Sequence, residues 1–207
     1  HDAALRRAGI LRVDQLEEMF GAAETVLRAR PLRGNRLVVL SNGGGAGLMV
    51  EDSLYLAGYS LPALKEQTIE RLRRFMSPAW NGRNPLEIRV DSEPACYERL
   101  LKILQEERDG DAVLLIHTPN ALSSSIDTAQ QVIATARETG INLMTCWVGD
   151  ESVEKERNLF INAGIATFDS PEHAASAFLH MHRHRIASEV LMEVPTSEPE
   201  AFKPDEI

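Results

Sequence analysis

Three consecutive glycines, Gly43, Gly44 and Gly45, followed by Ala46 and Gly47, stand where the apolar run Leu37–Leu40 gives way to a helical pattern. A glycine turn lets the backbone approach a ligand closely. The unpaired N–H groups and dipole of a following helix favour an anion such as phosphate or carboxylate. The turn is neither the GxGxxG of a dinucleotide site nor a P-loop, which needs a Lys-Ser/Thr pair. The same glycines also suit a tight strand-to-helix crossover that holds nothing. A second stretch, "HTPNALSSS" (His117 to Ser125), offers hydroxyls and an amide to the same crevice, or is an ordinary capped loop. A phospho-receiver would need acids where Asn42 and His117 stand. A Ser-His-Asp reading of His117, Ser123 to Ser125 and Asp127 lacks a nucleophile elbow. His180, His182 and His184 alternate along a helix and cannot face one ion, and no carboxylate or cysteine completes a ligand set. They read as a solvated basic helix end. Trp147 and Cys146 close an apolar run and read as packing, with the ring also able to stack on a ligand.

These residues need a scaffold, and the pattern of the chain supplies one. "HDAALRRAG" and "VDQLEEMFGAAETVLRAR" form a helical lead-in over residues 1–34. "RLVVLSN" is a first buried strand, and a helix follows over about 46–57. "YSLPAL" reads as a short second strand and "KEQTIERLRRFM" as a helix. "SPAWNGRNPLEIRVDS" reads as a long loop because Pro78, Gly82 and Pro85 interrupt regular structure. A helix starting at Ser92-Glu93-Pro94 stops at Gly110. "DAVLLIHTP" is a central strand, apolar on both faces. The remaining pattern alternates helix 125–139, strand "INLMTCWVG", a helix closed by Gly164, strand "IATFDS" and a last helix capped by Ser170. Five strands with intervening helices predict an α/β, flavodoxin-like, doubly wound parallel sheet in the order 2-1-3-4-5, over residues 35–187. The first strand of that order lies at the switch point, so the glycine turn sits where ligands bind. Residues 188–207 are the end of the last helix and an acidic, Pro-rich linker.

Composition narrows the function classes. The chain has 207 residues, 43% hydrophobic, enough for one sizeable core. A net charge of -9 opposes a phosphate backbone, so nucleic acid is excluded as a partner. No run has the roughly 18 apolar residues of a membrane span. Two distant cysteines, Cys96 and Cys146, with no secretory leader, predict a reducing, cytoplasmic setting. His1 already stands in a helical pattern with no initiator methionine, which predicts a piece excised from a longer protein.

Five stretches in order, "HDAALRRAGILRVDQLEEMF", "RPLRGNRLVVLSNGGGAGLMVEDSL", "NPLEIRVDSEPACYERLLKIL", "DAVLLIHTP" and "CWVGDESVEKERNLFINAGIATFDSPEHAASAF", resemble the last domain of the nucleoside-diphosphate-forming acyl-CoA synthetases. That superfamily includes succinyl-CoA ligase and the ADP-forming acetyl-CoA synthetases. The resemblance implies that Asn42, Gly43, Gly44, Gly45, Ala46 and Gly47 stabilise phosphohistidine and acyl-phosphate. It also implies that Thr118, Pro119 and Asn120 lie by the acyl group. The mobile histidine belongs to a segment just before residue 1, and His1 is not that residue. Within the superfamily, "RPLRGNRL", the "IHTP" loop and "FLHMHRHR" are most like the bacterial protein lysine acetyltransferases, which carry a GNAT domain. The expectation is a regulatory and scaffolding domain of such an acetyltransferase. The alternative is part of an active ADP-forming acyl-CoA synthetase. A third reading is a stand-alone nucleotide or flavin module. No nucleophile with a base in reach is evident, so the chain alone is expected to have no catalytic residue, metal or cofactor. CoA or acetyl-CoA and ATP-Mg are implied for the longer protein. Its implied partners are CoA-binding, ATP-grasp and GNAT domains and a protein substrate, and a homo-oligomer is compatible with it.

Overall fold

The structure, a computed structural model, describes residues 30–192. The two lead-in helical stretches and the linker after residue 192 lie outside the described residues. β1 (Leu37–Ser41) leads into α1 (Gly44–Leu56), and α2 (Glu66–Leu72) is extended by a 3-10 turn at Arg73–Phe75. β2 (Leu86–Glu87), α3 (Pro94–Glu107), β3 (Ala112–His117), α4 (Ser125–Thr139) and β4 (Leu143–Trp147) follow. A 3-10 turn at Asp150–Val153 then precedes α5 (Glu154–Asn162), β5 (Ala166–Phe168) and α6 (Pro171–Met192).

The five strands form one sheet in the order β2-β1-β3-β4-β5, and every neighbouring pair is parallel. This is the expected flavodoxin-like order. β1 and β3 run in register from Leu37 beside Ala112 to Ser41 beside Ile116, so their carboxyl ends finish together. Both strands are buried along their length. Alternation divides their side chains between two layers. Val38, Leu40, Val113 and Leu115 pack with Tyr97, Leu100, Val132 and Phe160 from α3, α4 and α5. Leu37, Val39, Leu114 and Ile116 pack with Val50 and Leu54 of α1 and Ala174 and Phe178 of α6. Burying each large side chain contributes about 1.5–3 kcal/mol, so the central strands anchor whatever their ends carry. Among the described residues no helix is long and apolar enough to cross a membrane.

The second strand is not the expected one. The stretch 59–64 is irregular, and β2 forms instead at Leu86–Glu87, inside the expected long loop. Pro62 has no N–H to give a ladder, and the outer edge of β1 is already taken. The buried Asn84 side chain accepts from Val39 N (2.9 Å) and donates to Leu37 O (2.8 Å), as a neighbouring strand would. β2 then pairs Leu86 with Leu40 and Glu87 with Ser41. Two smaller boundaries also move. α1 begins at Gly44 rather than Ala46, and α3 closes at Arg108, whose φ of 54° forms a left-handed cap two residues before the expected Gly110.

Candidate functional site

The two stretches singled out from the sequence meet at the carboxyl ends of β1 and β3. Asn42, 5% exposed, joins them. Its Oδ1 accepts from Thr118 N (2.7 Å) and its Nδ2 donates to Thr118 O (2.9 Å), so one side chain holds the loop after β3 against the turn after β1. Gly43 approaches the same loop closely, since a Cβ there would lie 3.3 Å from Thr118 Oγ1. Ser41 Oγ donates to Gly43 O (2.7 Å) and accepts from Gly43 N (3.1 Å), which fixes the approach to α1.

Gly43 is the N-cap of α1, with no side-chain cap and no acidic residue in the first turn. The leading amides of any helix lack a carbonyl four residues back. Here Gly44 and Gly45 supply those amides, and Gly45 is exposed, with nothing within 4 Å of its would-be Cβ. The arrangement can receive an anion through backbone N–H groups and the positive end of the helix. Gly47 is buried, its would-be Cβ 3.2 Å from Pro85 Cβ, so the segment before β2 packs on the first turn of α1. A hollow of about 280 Å³ opens between them, lined among others by Gly44, Glu51, Trp80, Arg83 and Glu87. This wall has no sequence signal, because residues 77–92 carry Pro78, Gly82 and Pro85 and no period, and so read as a loop.

Not every member of the expected acyl loop faces the turn. Thr118 is exposed beside it, and Pro119 is half-buried. Asn120 is occupied by bonds of its own: Nδ2 donates to Val90 O in the segment after β2 (3.2 Å) and Oδ1 accepts from Leu122 N (2.8 Å).

The other sequence candidates become packing. His117 is fully buried, stacked on Trp147 with ring centroids 4.7 Å apart, and its Nδ1 lies 3.1 Å from Tyr97 Oη. Burial pushes its pKa down to about 4, so the ring is neutral. The serines expected beside it are used elsewhere. Ser124 Oγ accepts from Asp127 N as the cap of α4, and Ser125 Oγ accepts from Trp147 Nε1 (3.2 Å). Burial drives the Cys146 thiol up to about 12, away from nucleophilic thiolate. His180 is 5% exposed, and His182 makes an edge contact with Tyr59 at 5.7 Å. These two belong to the α6 packing rather than to a solvated helix end, and only His184 is exposed. Among the described residues no group of three His, Cys, Asp or Glu could hold a metal ion.

The family model described as a Ligase-CoA domain matches residues 37–192. The chain is 31% identical over 182 residues to the ADP-forming acetate–CoA ligase I of Archaeoglobus fulgidus, covering 88% of this chain and 25% of that one. It is 28% identical over 181 residues to the α subunit of the ADP-forming acetate–CoA ligase II of Pyrococcus furiosus, covering 86% of this chain and 39% of the subunit. The solved apo structure of dinucleotide-forming acetyl-coenzyme A synthetase 1 from Ca. Korarchaeum cryptofilum superposes with a TM-score of 0.85 at 25% identity, over 92% of this chain and 42% of that one. The chain thus spans less than half the length of each. These relatives overturn the expectation of a lysine acetyltransferase domain and favour its alternative, because they are acid–CoA ligases. The glycine turn, the "IHTP" loop and the sheet that carries them belong to the ligase domain itself, so they held no information about an attached GNAT domain.

Proposed function

We propose, for a chain that belongs to the Ligase-CoA domain family, that it serves as one domain of an ADP-forming acetyl- or acyl-CoA synthetase. The whole enzyme converts ATP, acid and CoA into acyl-CoA, ADP and phosphate. In this reading Asn42 to Gly47 receive the phosphoryl or acyl-phosphate group. Thr118 and Pro119 border the acyl side, and Asn120 braces their loop. The phosphoryl-carrying histidine and the sites for ATP-Mg and CoA are assigned to parts of the enzyme outside residues 1–207.

The observation that carries this is the Asn42 clamp, which holds the loop after β3 beside the open amides of Gly44 and Gly45. Fixed amides and a helix dipole stabilise negative charge without reorganising. Each such contribution at a helix end is about 0.3–2 kcal/mol. That suits an anion which must be held and then released. The reaction needs no nucleophile from this chain under the scheme.

The test uses the protein as made in its cell, with any partner subunit, and follows ADP formation from ATP, CoA and acetate. ADP formation dependent on both CoA and acetate is expected in the native protein. Gly44→Asp places a fixed carboxylate at the first residue of α1 and is expected to lower turnover by about a hundredfold or more, in line with loss of an oxyanion contact. Its melting temperature should fall by only a few degrees. Loss of folding in step with activity would instead make the glycine structural, and a native protein without CoA-dependent ADP formation would refute the synthetase reading.

A further inference from the structure

Glu87 is the residue of β2 that lies beside Ser41 in the sheet register, and its side chain reaches over the glycine turn. A Cβ built on Gly44 would lie 2.9 Å from Glu87 Cδ and Oε2 and 3.1 Å from Oε1. The carboxylate therefore stands in contact with the first residue of α1, and a side chain placed there would require it to swing aside. α1 offers no acid of its own in its first turn and no side-chain cap. Among the described residues the Glu87 carboxylate has no hydrogen bond or ion pair, and neither does the Arg83 guanidinium, although both line the same hollow of about 280 Å³.

We infer that Glu87 is a movable carboxylate that competes with the anion for the α1 turn. It stands over Gly44 while the turn is free and withdraws into the hollow, toward Arg83, when an oxyanion arrives. The inference rests on the reading of the turn as an anion site. Two anions held within about 4 Å of each other repel strongly wherever water is partly excluded, so carboxylate and phosphate cannot share the helix end. The hollow provides the space to withdraw, and the unpaired Arg83 provides the counter-charge that makes withdrawal favourable. Glu87 thereby limits how tightly the site retains a fully charged phosphate, which favours release of that product.

The test is calorimetric titration of the 207-residue chain with inorganic phosphate at constant ionic strength, with circular dichroism as the check on folding. Glu87→Gln keeps the shape and removes the charge, and it is expected to bind phosphate about tenfold tighter than the wild type. Arg83→Ala is expected to weaken phosphate binding several-fold in the wild-type background and to have no effect in Glu87→Gln, because the cation acts only through the displaced carboxylate. A folded Glu87→Gln that binds phosphate no tighter than the wild type would overturn the competition and leave the anion site standing. Equal effects of Arg83→Ala in both backgrounds would overturn the withdrawal. No phosphate binding by either chain at millimolar concentrations would remove the anion site and the inference with it.

Discussion

Two asparagine side chains bond to backbone as a neighbouring strand would, and both shape the site. Asn42 grips Thr118 on the inner side of β1, and Asn84 grips Leu37 and Val39 on its outer edge. Neither role is written in local sequence, where Asn reads as a turn residue. The partners lie 76 and 45 to 47 residues away, so no window of periodicity contains them. That is why the glycine turn was legible and its brace was not. Asn84→Ala would leave a buried N–H and a buried C=O of β1 without partners, each costing about 1–3 kcal/mol. The expected loss is about 3 kcal/mol in urea unfolding. Asn84→Asp keeps an acceptor for Val39 N but buries a carboxylate against Leu37 O, and so should lose at least as much as Asn84→Ala at pH 7. A loss under about 1 kcal/mol for Asn84→Ala would show that water or a shifted segment replaces the brace.

At the scale of elements, the sequence was most readable where burial is simplest. β3 and β4 appear as apolar runs flanked by turn residues, and α4 occupies the expected 125–139, fixed by its Ser124 cap and Gly140 in left-handed conformation. β2 was unreadable because two residues carry no period, and its place beside β1 depends on the Asn84 brace. α1 is set by contact rather than by an amphipathic stripe. Its first turn is small residues, and buried Gly47 is what lets Pro85 come close. Gly47→Val should push the first turn off the segment before β2, at about 2 kcal/mol by overpacking. Gly47→Ala should stay within about 1 kcal/mol of wild type, since the helix gain from alanine offsets a tight 3.2 Å contact. Phosphate affinity should drop in Gly47→Val and persist in Gly47→Ala. Equal stability of all three chains would mean that α1 is not positioned by this contact.

For the whole molecule, right-handed crossovers predict the sheet order from the four legible strands, and its outer place beside β1 is filled by β2 rather than by the expected 59–64 stretch. The largest pKa shift behind the acid response of the fold is that of the buried His117 ring at its centre. His117 ends β3, the middle strand, between Tyr97 of α3 and Trp147 of β4. Its pKa is about 4 in the fold against an ordinary 6.5. The unfolded chain therefore binds the proton more readily, and stability is full above about pH 6.5, falls as pH drops toward 4, and levels below it. The gap corresponds to about 3 kcal/mol. Burial also lowers the pKa of the half-buried His182, which adds a smaller loss in the same window. Asp91 and Asp111, held below the ordinary carboxylate value chiefly by hydrogen bonds to Arg89 and Arg36, lose stability at lower pH as their charges are neutralised. Asp109, lowered against its own desolvation by the Lys65 backbone N–H and ammonium, behaves the same way. His117→Phe keeps the ring stack on Trp147 and removes the titrating group. It should be less stable than wild type at pH 7, where Tyr97 loses its partner. Its unfolding free energy should then change much less between pH 6.5 and 4.5, leaving the shallow slope of His182. A variant that loses stability over that window as steeply as the wild type would place the acid sensitivity elsewhere in the molecule.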